Sequence, residues 1–208
     1  MERAFKEIFA VDDPFANLSS MGGRTDAWAM ATVAKNHGIA DHVSELARFR
    51  DLYLRYLPAE LDKPDLRKGV MPGVRELLDA LSTRQNVHLA LLTGNFERGA
   101  RAKLEYFDLW RYFRGGAFGD EALDRNVLVE EALASVVACG GPAFGPADTI
   151  IIGDTPLDVA CAVAAGARSL AVATGRHGVE ELHAVGANIV FEDLSDTAAV
   201  LRALRVAE

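Results

Sequence analysis

Two carboxylates, Asp154 and Asp158, follow the apolar run Ile150-Ile151-Ile152-Gly153 and lie one helical turn apart. At that spacing they face one point, and a hard cation such as Mg²⁺ binds through a few carboxylate oxygens while keeping water in the rest of its shell. The plainer alternative is that Asp154 or Thr155 caps the next helix and Asp158 complements its dipole. A second cluster, Thr93-Gly94-Asn95, closes another apolar run. A hydroxyl, a flexible glycine and an amide at the entry to a helix can cradle a phosphate, or can form an ordinary β-to-α turn. The third candidate is Arg125, within Asp124-Arg125-Asn126 ahead of a helical stretch. It is either a fixed positive charge within reach of such a site or a surface arginine at a helix start.

These residues need elements to hold them. The runs Val87–Leu92 and Thr149–Ile152 are each bounded by turn residues, the pattern of a parallel strand buried on both faces. Each delivers its candidates to its carboxyl end, where ligands bind in open α/β sheets. Pro72 opens a helix with Val74, Leu77, Leu78 and Leu81 on one face. Further helices are expected over about 96–107, 126–138, 156–165, 179–185 and 196–204, with strands at 169–173 and 188–191. Gly166 suits the C-cap of the third of these helices. This alternation predicts an α/β fold, a Rossmann-like parallel sheet with helices on both faces.

Residues 1–68 read differently, as a strandless helical block. Phe5, Ile8 and Phe9 recur at helical spacing from the second residue onward, with no capping residue ahead of them. Asp12-Asp13-Pro14 marks a break. Residues 25–37 and 41–57 read as helices, the second with the stripe Val43, Leu46, Phe49, Leu52 and Leu57. Pro58 and the charged run 60–68 read as a linker to the block 69–208.

The 208 residues are 50% hydrophobic, enough for one sizeable core with a smaller attachment. A formal charge of -8 disfavours nucleic acid and anionic membranes as partners. No apolar run is long enough to span a bilayer. Cys139 and Cys161 show no metal or redox spacing, and no disulfide framework is implied, which suits the cytoplasm. Lys103 falls within an expected helix and reads as solvated. Ser19 and Ser20 lack the flanking glycines of a nucleophile elbow.

Together, in this order and at these distances, the three clusters resemble the haloacid dehalogenase-like (HAD) hydrolase superfamily. They are most similar to its phosphoglycolate-phosphatase-like branch, and the resemblance covers essentially the whole chain. It implies that residues 1–68 are a helical cap and residues 69–208 the remainder of the α/β core. It implies that Thr93 hydrogen-bonds the transferring phosphoryl group, with Gly94 and Asn95 beside it. Arg125 would take the place of the family's usual lysine. Asp154 would be a Mg²⁺ ligand, with Asp158 supporting the metal. Gly22-Gly23-Arg24-Thr25-Asp26 resembles a cap loop of this branch that helps select substrate, with Arg24 the residue to meet a substrate anion. The same stretch also reads as a plain helix start, capped by Thr25 and with Asp26 suiting the dipole.

The implied function is a Mg²⁺-dependent phosphatase acting on a small phosphorylated metabolite through an aspartyl-phosphate. The family reaction needs Asp-x-Asp-x-Thr at the end of a first strand, which in family members runs between the strands ending here at Thr93 and Asp154. No such motif occurs in the sequence, and Asp12-Asp13-Pro14 follows a helix and lacks the spacing. The expectation is therefore that the sequence starts at an internal Met of a longer product, and that the chain as it stands is inactive. Two alternatives remain: a non-catalytic HAD-fold binding protein, or a carbon–halogen hydrolase of the same superfamily, which needs no Mg²⁺. The sequence leaves the oligomeric state open.

Overall fold

The structure, a computed structural model, describes residues 1–16, 18, 21–39, 42–65 and 68–206, excepting the side chains of His42 and Val43. Ser19, Ser20, the Val43 position in the helical stripe, and residues 66–67 of the expected linker lie outside the described residues.

Three helices come first: α1 (Glu2–Phe9), α2 (Asp26–Asn36) and α3 (His42–Leu61). The Thr25 side chain caps α2 by accepting from the Trp28 N–H. The linker expected from Pro58 onward begins later, because α3 runs through that proline to Leu61. Proline removes one backbone bond and strains the preceding turn. Here it falls in the last turn, after a stretch already fixed by burial of Phe49, Leu52, Tyr53 and Leu57. These side chains meet Phe5, Met30 and Val33 in one apolar cluster, with Phe5 and Phe49 ring centroids 4.4 Å apart. The same cluster takes in Phe96, which belongs to a loop much further along the chain.

Helices and strands then alternate. They are α4 (Val74–Ser82), β1 (Leu91–Leu92), α5 (Glu97–Tyr106), β2 (Gly116–Ala117), α6 (Leu128–Ala138) and β3 (Ile150–Gly153). After these come α7 (Pro156–Ala165), β4 (Arg168–Val172), α8 (Val179–Ala184), β5 (Ile189–Phe191) and α9 (Thr197–Leu204). Gly166 ends α7 in the left-handed conformation, as a C-cap. Along β4, Leu170 and Val172 pack against Leu77 and Leu81 of α4 and Val200 and Leu204 of α9. Ala171, between them, packs the other way against Val159 of α7 and Leu182 of α8. The two-residue alternation of a strand thus gives each face its own helices.

Among the described residues all strand pairing is parallel, as expected for this α/β fold, but the strands form two sheets. One is β1-β2 and the other β3-β4-β5. The strand expected over 87–92 forms ladder bonds only at Leu91 and Leu92, opposite Gly116 and Ala117. Among the described residues, 87–90 pair with no neighbouring strand, and an isolated extended segment is not a strand. Among the described residues β1 and β3 each have a single strand neighbour. Between them opens a cleft of about 780 Å³, walled by Leu89, Leu91, Ile150 and Ile152 and covered by residues of α4 and α6. Ile152 is 40% exposed there, unusual for the middle of a parallel strand.

Candidate active site

β1 ends at Leu92 and places Thr93 beside β2, where the Thr93 N–H bonds the Ala117 carbonyl at 3.1 Å. Next, the Asn95 carbonyl accepts from Gly119 N–H at 2.9 Å. The Thr93 hydroxyl oxygen accepts twice, from Asn95 N–H at 3.2 Å and from the Asn95 side-chain amide at 2.8 Å. With both acceptor positions in use, its own proton is left to donate away from the loop. Gly94 is needed between them, since a Cβ there would lie 2.2 Å from the Arg24 carbonyl oxygen.

β3 delivers Asp154 to the corresponding edge. Thr155 caps α7, and Asp158 completes a capping box: its Oδ2 accepts from Thr155 N–H at 3.0 Å and from the Thr155 hydroxyl at 2.7 Å. Gly153 must be glycine, because a Cβ would sit 2.2 Å from the Asp158 carboxyl carbon. The other Asp158 oxygen accepts from Arg125 Nη2 at 2.5 Å. Both oxygens of Asp158 are therefore committed. Asp154 stays partly exposed, and its carboxyl titrates above the usual range because of burial and then the Asp158 charge beside it.

Arg125 joins the two strand ends. Asp124 accepts from the Asn126 N–H at 2.9 Å and so caps the short turn Arg125–Val127. From that turn Arg125 donates to the Leu92 carbonyl at 3.2 Å, the Gly23 carbonyl at 3.2 Å and Asp158. Its side chain is only 15% exposed, and that of Asp158 7%. Nε of Arg125 is buried without a hydrogen-bond partner among the described residues. The guanidinium is thus a fixed, largely buried positive charge between the ends of β1 and β3.

The model of the haloacid dehalogenase-like hydrolase family matches residues 14–162, a stretch that contains the Thr93 loop, Arg125, Asp154 and Asp158. The chain belongs to this family. One HAD relative is Phosphoglycolate phosphatase 1 of Pseudomonas aeruginosa, 30% identical over 168 residues, which are 81% of this chain and 58% of the relative. A phosphoglycolate phosphatase of Rhodospirillum rubrum is 30% identical over 167 residues, 80% of this chain and 67% of the relative. The chain thus spans little more than half the length of the first of these. Among solved structures, a predicted phosphoglycolate phosphatase from Haemophilus somnus aligns at a TM-score of 0.63 and 18% identity, covering 96% of this chain and 87% of that one. A predicted phosphatase from Clostridium acetobutylicum gives 0.63 at 22% identity, with coverage of 84% and 77%. At such identities these structures speak for the HAD fold alone.

The expected cap-loop residues occupy different environments. Thr25 is 1% exposed, accepting from Trp28 N–H at 3.0 Å and donating to the Ala122 carbonyl at 2.6 Å. Asp26 is also buried, and its Oδ2 accepts from Phe96 N–H at 2.9 Å. Both therefore bind the helical block to the loops of this HAD chain. Arg24 is exposed, with its guanidinium 4.7 Å from the Trp28 ring centroid. The reading of Lys103 as solvated is corrected. It is partly buried, donates to Asn95 Oδ1, and is held below the usual lysine range by burial, with Asp26 opposing. Asp120 was not singled out from the sequence. It accepts from Glu97 N–H at 2.7 Å and pairs with Arg50 at 3.1 Å. Among the described residues no helix is long and apolar enough to cross a membrane.

Proposed function

We propose that the chain carries the phosphoryl-binding part of a Mg²⁺-dependent phosphatase for a small phosphorylated metabolite. In this reading residues 1–68 form its cap and residues 69–208 its core. The observation that carries it is the position of Arg125, a fixed positive charge that spans from the end of β1, beside Thr93, to Asp158 beyond β3. Thr93 then donates its hydroxyl proton to a phosphoryl oxygen, with Gly94 and Asn95 shaping the loop. Arg125 neutralises charge on the same group. The names of the phosphatase relatives support a phosphate monoester as substrate. Arg24, exposed at the mouth of the loop, suits an anionic group on that substrate.

For a metal, Asp154 supplies one suitable carboxylate, and a cation beside it would offset the cost of ionising a carboxyl held above the usual range by burial and the Asp158 charge. Asp158 supports it indirectly, through the capping box and Arg125. Among the described residues no cluster of three or more His, Cys, Asp or Glu is poised to hold a metal. Mg²⁺ tolerates such a sparse set, taking the rest of its shell from water, phosphoryl oxygens and a further carboxylate. When bound it would supply Lewis-acid stabilisation of charge on the phosphoryl oxygens.

The attacking carboxylate of an aspartyl-phosphate route has no Asp-x-Asp-x-Thr source in these residues. The 208-residue chain alone is accordingly expected to bind phosphate without turning over a monoester. The alternative, a non-catalytic role in binding a phospho-ligand, would be favoured by an upstream coding sequence that also lacks the motif. Titration calorimetry with inorganic phosphate and Mg²⁺ should show binding that weakens about tenfold in Thr93→Val, the loss of roughly one hydrogen bond to a charged group. No measurable phosphate binding overturns the phosphoryl reading. Monoester hydrolysis at ordinary enzymatic rates overturns the expectation of inactivity.

A further inference from the structure

Three residues on one side of α5 and the loop before it are spaced four apart: Asn95, Gly99 and Lys103. Side chains four apart on a helix stand one above the other and lean toward its N-terminus. Gly99 leaves the place between the other two empty. A Cβ there would lie 3.0 Å from the Tyr53 ring of α3, which closes the lane from outside. The Lys103 side chain extends along this lane to Asn95 Oδ1, with its ammonium 5.9 Å from the Tyr53 ring centroid.

We propose that Lys103 is a positioning residue that sets the direction of a hydrogen-bond chain from its ammonium through Asn95 to the Thr93 hydroxyl. The assignment follows from what each group can do. An ammonium only donates, so the amide of Asn95 must turn its oxygen to Lys103 and its NH₂ to Thr93. Thr93 Oγ then accepts from that NH₂ at 2.8 Å and from the Asn95 backbone at 3.2 Å. Its proton points outward, the orientation needed to donate to an anion. Without a fixed donor at position 103 the amide can flip, and the hydroxyl can turn its proton inward to the amide oxygen. The chain therefore resolves an ambiguity that Asn95 and Thr93 cannot resolve by themselves, since each can both donate and accept.

The surroundings keep the cation in place. Asp26 is the carboxylate that offsets burial of the ammonium, and it is itself fixed by the Phe96 N–H one residue beyond Asn95. The target of the Thr93 proton rests on the phosphoryl reading given above. The direction of the chain does not.

The test is the side-chain amide signal of Asn95 in ¹⁵N-labelled protein, followed together with the affinity for inorganic phosphate. Wild type should give one sharp pair of amide resonances. Lys103→Met should shift or broaden them. Lys103→Gln, close in size and able to donate or accept, should give two amide populations or exchange broadening. Lys103→Arg, again donor-only, should restore a single state. Phosphate binding should weaken about tenfold in the Met and Gln variants, in line with loss of one charge-assisted bond, and return to within about threefold in Arg. Unchanged Asn95 signals in both Met and Gln variants, each folded by its backbone spectrum, overturn the proposal. If the Asn95 signals respond as described while wild type binds no phosphate, the directed chain stands and the phosphoryl reading falls. If Met fails to fold, the Gln and Arg pair decides the matter alone.

Discussion

At the residue scale, Asp154 and Asp158 show how two identical side chains one turn apart come to differ. Asp158 has given both oxygens to Thr155 and Arg125, while Asp154 faces the cleft with a raised carboxyl titration. A carboxyl whose folded-state value lies above its unfolded one contributes stability at low pH and loses it as pH rises through the folded value. Asp154→Asn should therefore raise the melting temperature at neutral pH, by roughly 1–3 °C for a domain of this size. The gain over wild type should shrink as the pH falls toward the ordinary carboxylate range, and calorimetry across that range would reveal it. A gain that is largest in acid would contradict the assignment. Arg125→Met should do the opposite. It leaves the Asp158 charge buried without its partner, at a cost of about 3 kcal/mol that urea unfolding would measure. Much of this was open to a reader of the sequence. The plainer alternative had Thr155 as a cap of α7 and Asp158 as complement to its dipole; Thr155 does cap α7, while Asp158 does more, closing a capping box with it. Lys103 was harder to see, because a lysine in a helix resembles any solvated one. The clue was the unoccupied step at Gly99, which has meaning only once Tyr53 is known to lie over it.

At the element scale, helices were easier to anticipate than strands. The expected helices over residues 2 onward, 96–107, 156–165 and 196–204 correspond to α1, α5, α7 and α9, because helical bonds are local and apolar spacing with capping residues specifies them. The exception is α3, whose extension past Pro58 depends on tertiary burial that a local rule ignores. Strands depend on partners. The apolar run 87–92 kept only two residues of strand, and Gly116–Ala117 became a strand with no hydrophobic pattern, solely because it lies beside Leu91 and Leu92. β3, β4 and β5 were readable because each brings its own β-branched or apolar run to a shared ladder. The exposed edge of β3 carries its own consequence. An unpaired apolar edge is a template for association. Ile152→Lys should lower light scattering of concentrated solutions with little loss of secondary structure by circular dichroism. Scattering equal to wild type would mean that this edge does not drive self-association.

At the scale of the whole molecule, the family could be read from three short clusters because they gather at one edge of the α/β layers. The way the layers fit together could not be read from local pattern, although the resemblance places a further strand between those ending at Thr93 and Asp154. Nothing in the local pattern of Val87–Leu92 or Thr149–Ile152 says that their strands belong to separate sheets with a cleft of about 780 Å³ between them. Nor does the helical pattern of the first sixty residues reveal that their apolar centre is completed from outside. Phe96 completes it, fully buried among Phe49, Tyr53 and Met30, one residue beyond Asn95. The helical block cannot loosen without uncovering that ring, and the ring cannot leave without pulling on the loop that holds Thr93. In native-state hydrogen exchange the amides of α3 and those at the start of α5 would then open as one cooperative unit, so that the order of the Thr93 loop is set by the stability of helices that lie outside it.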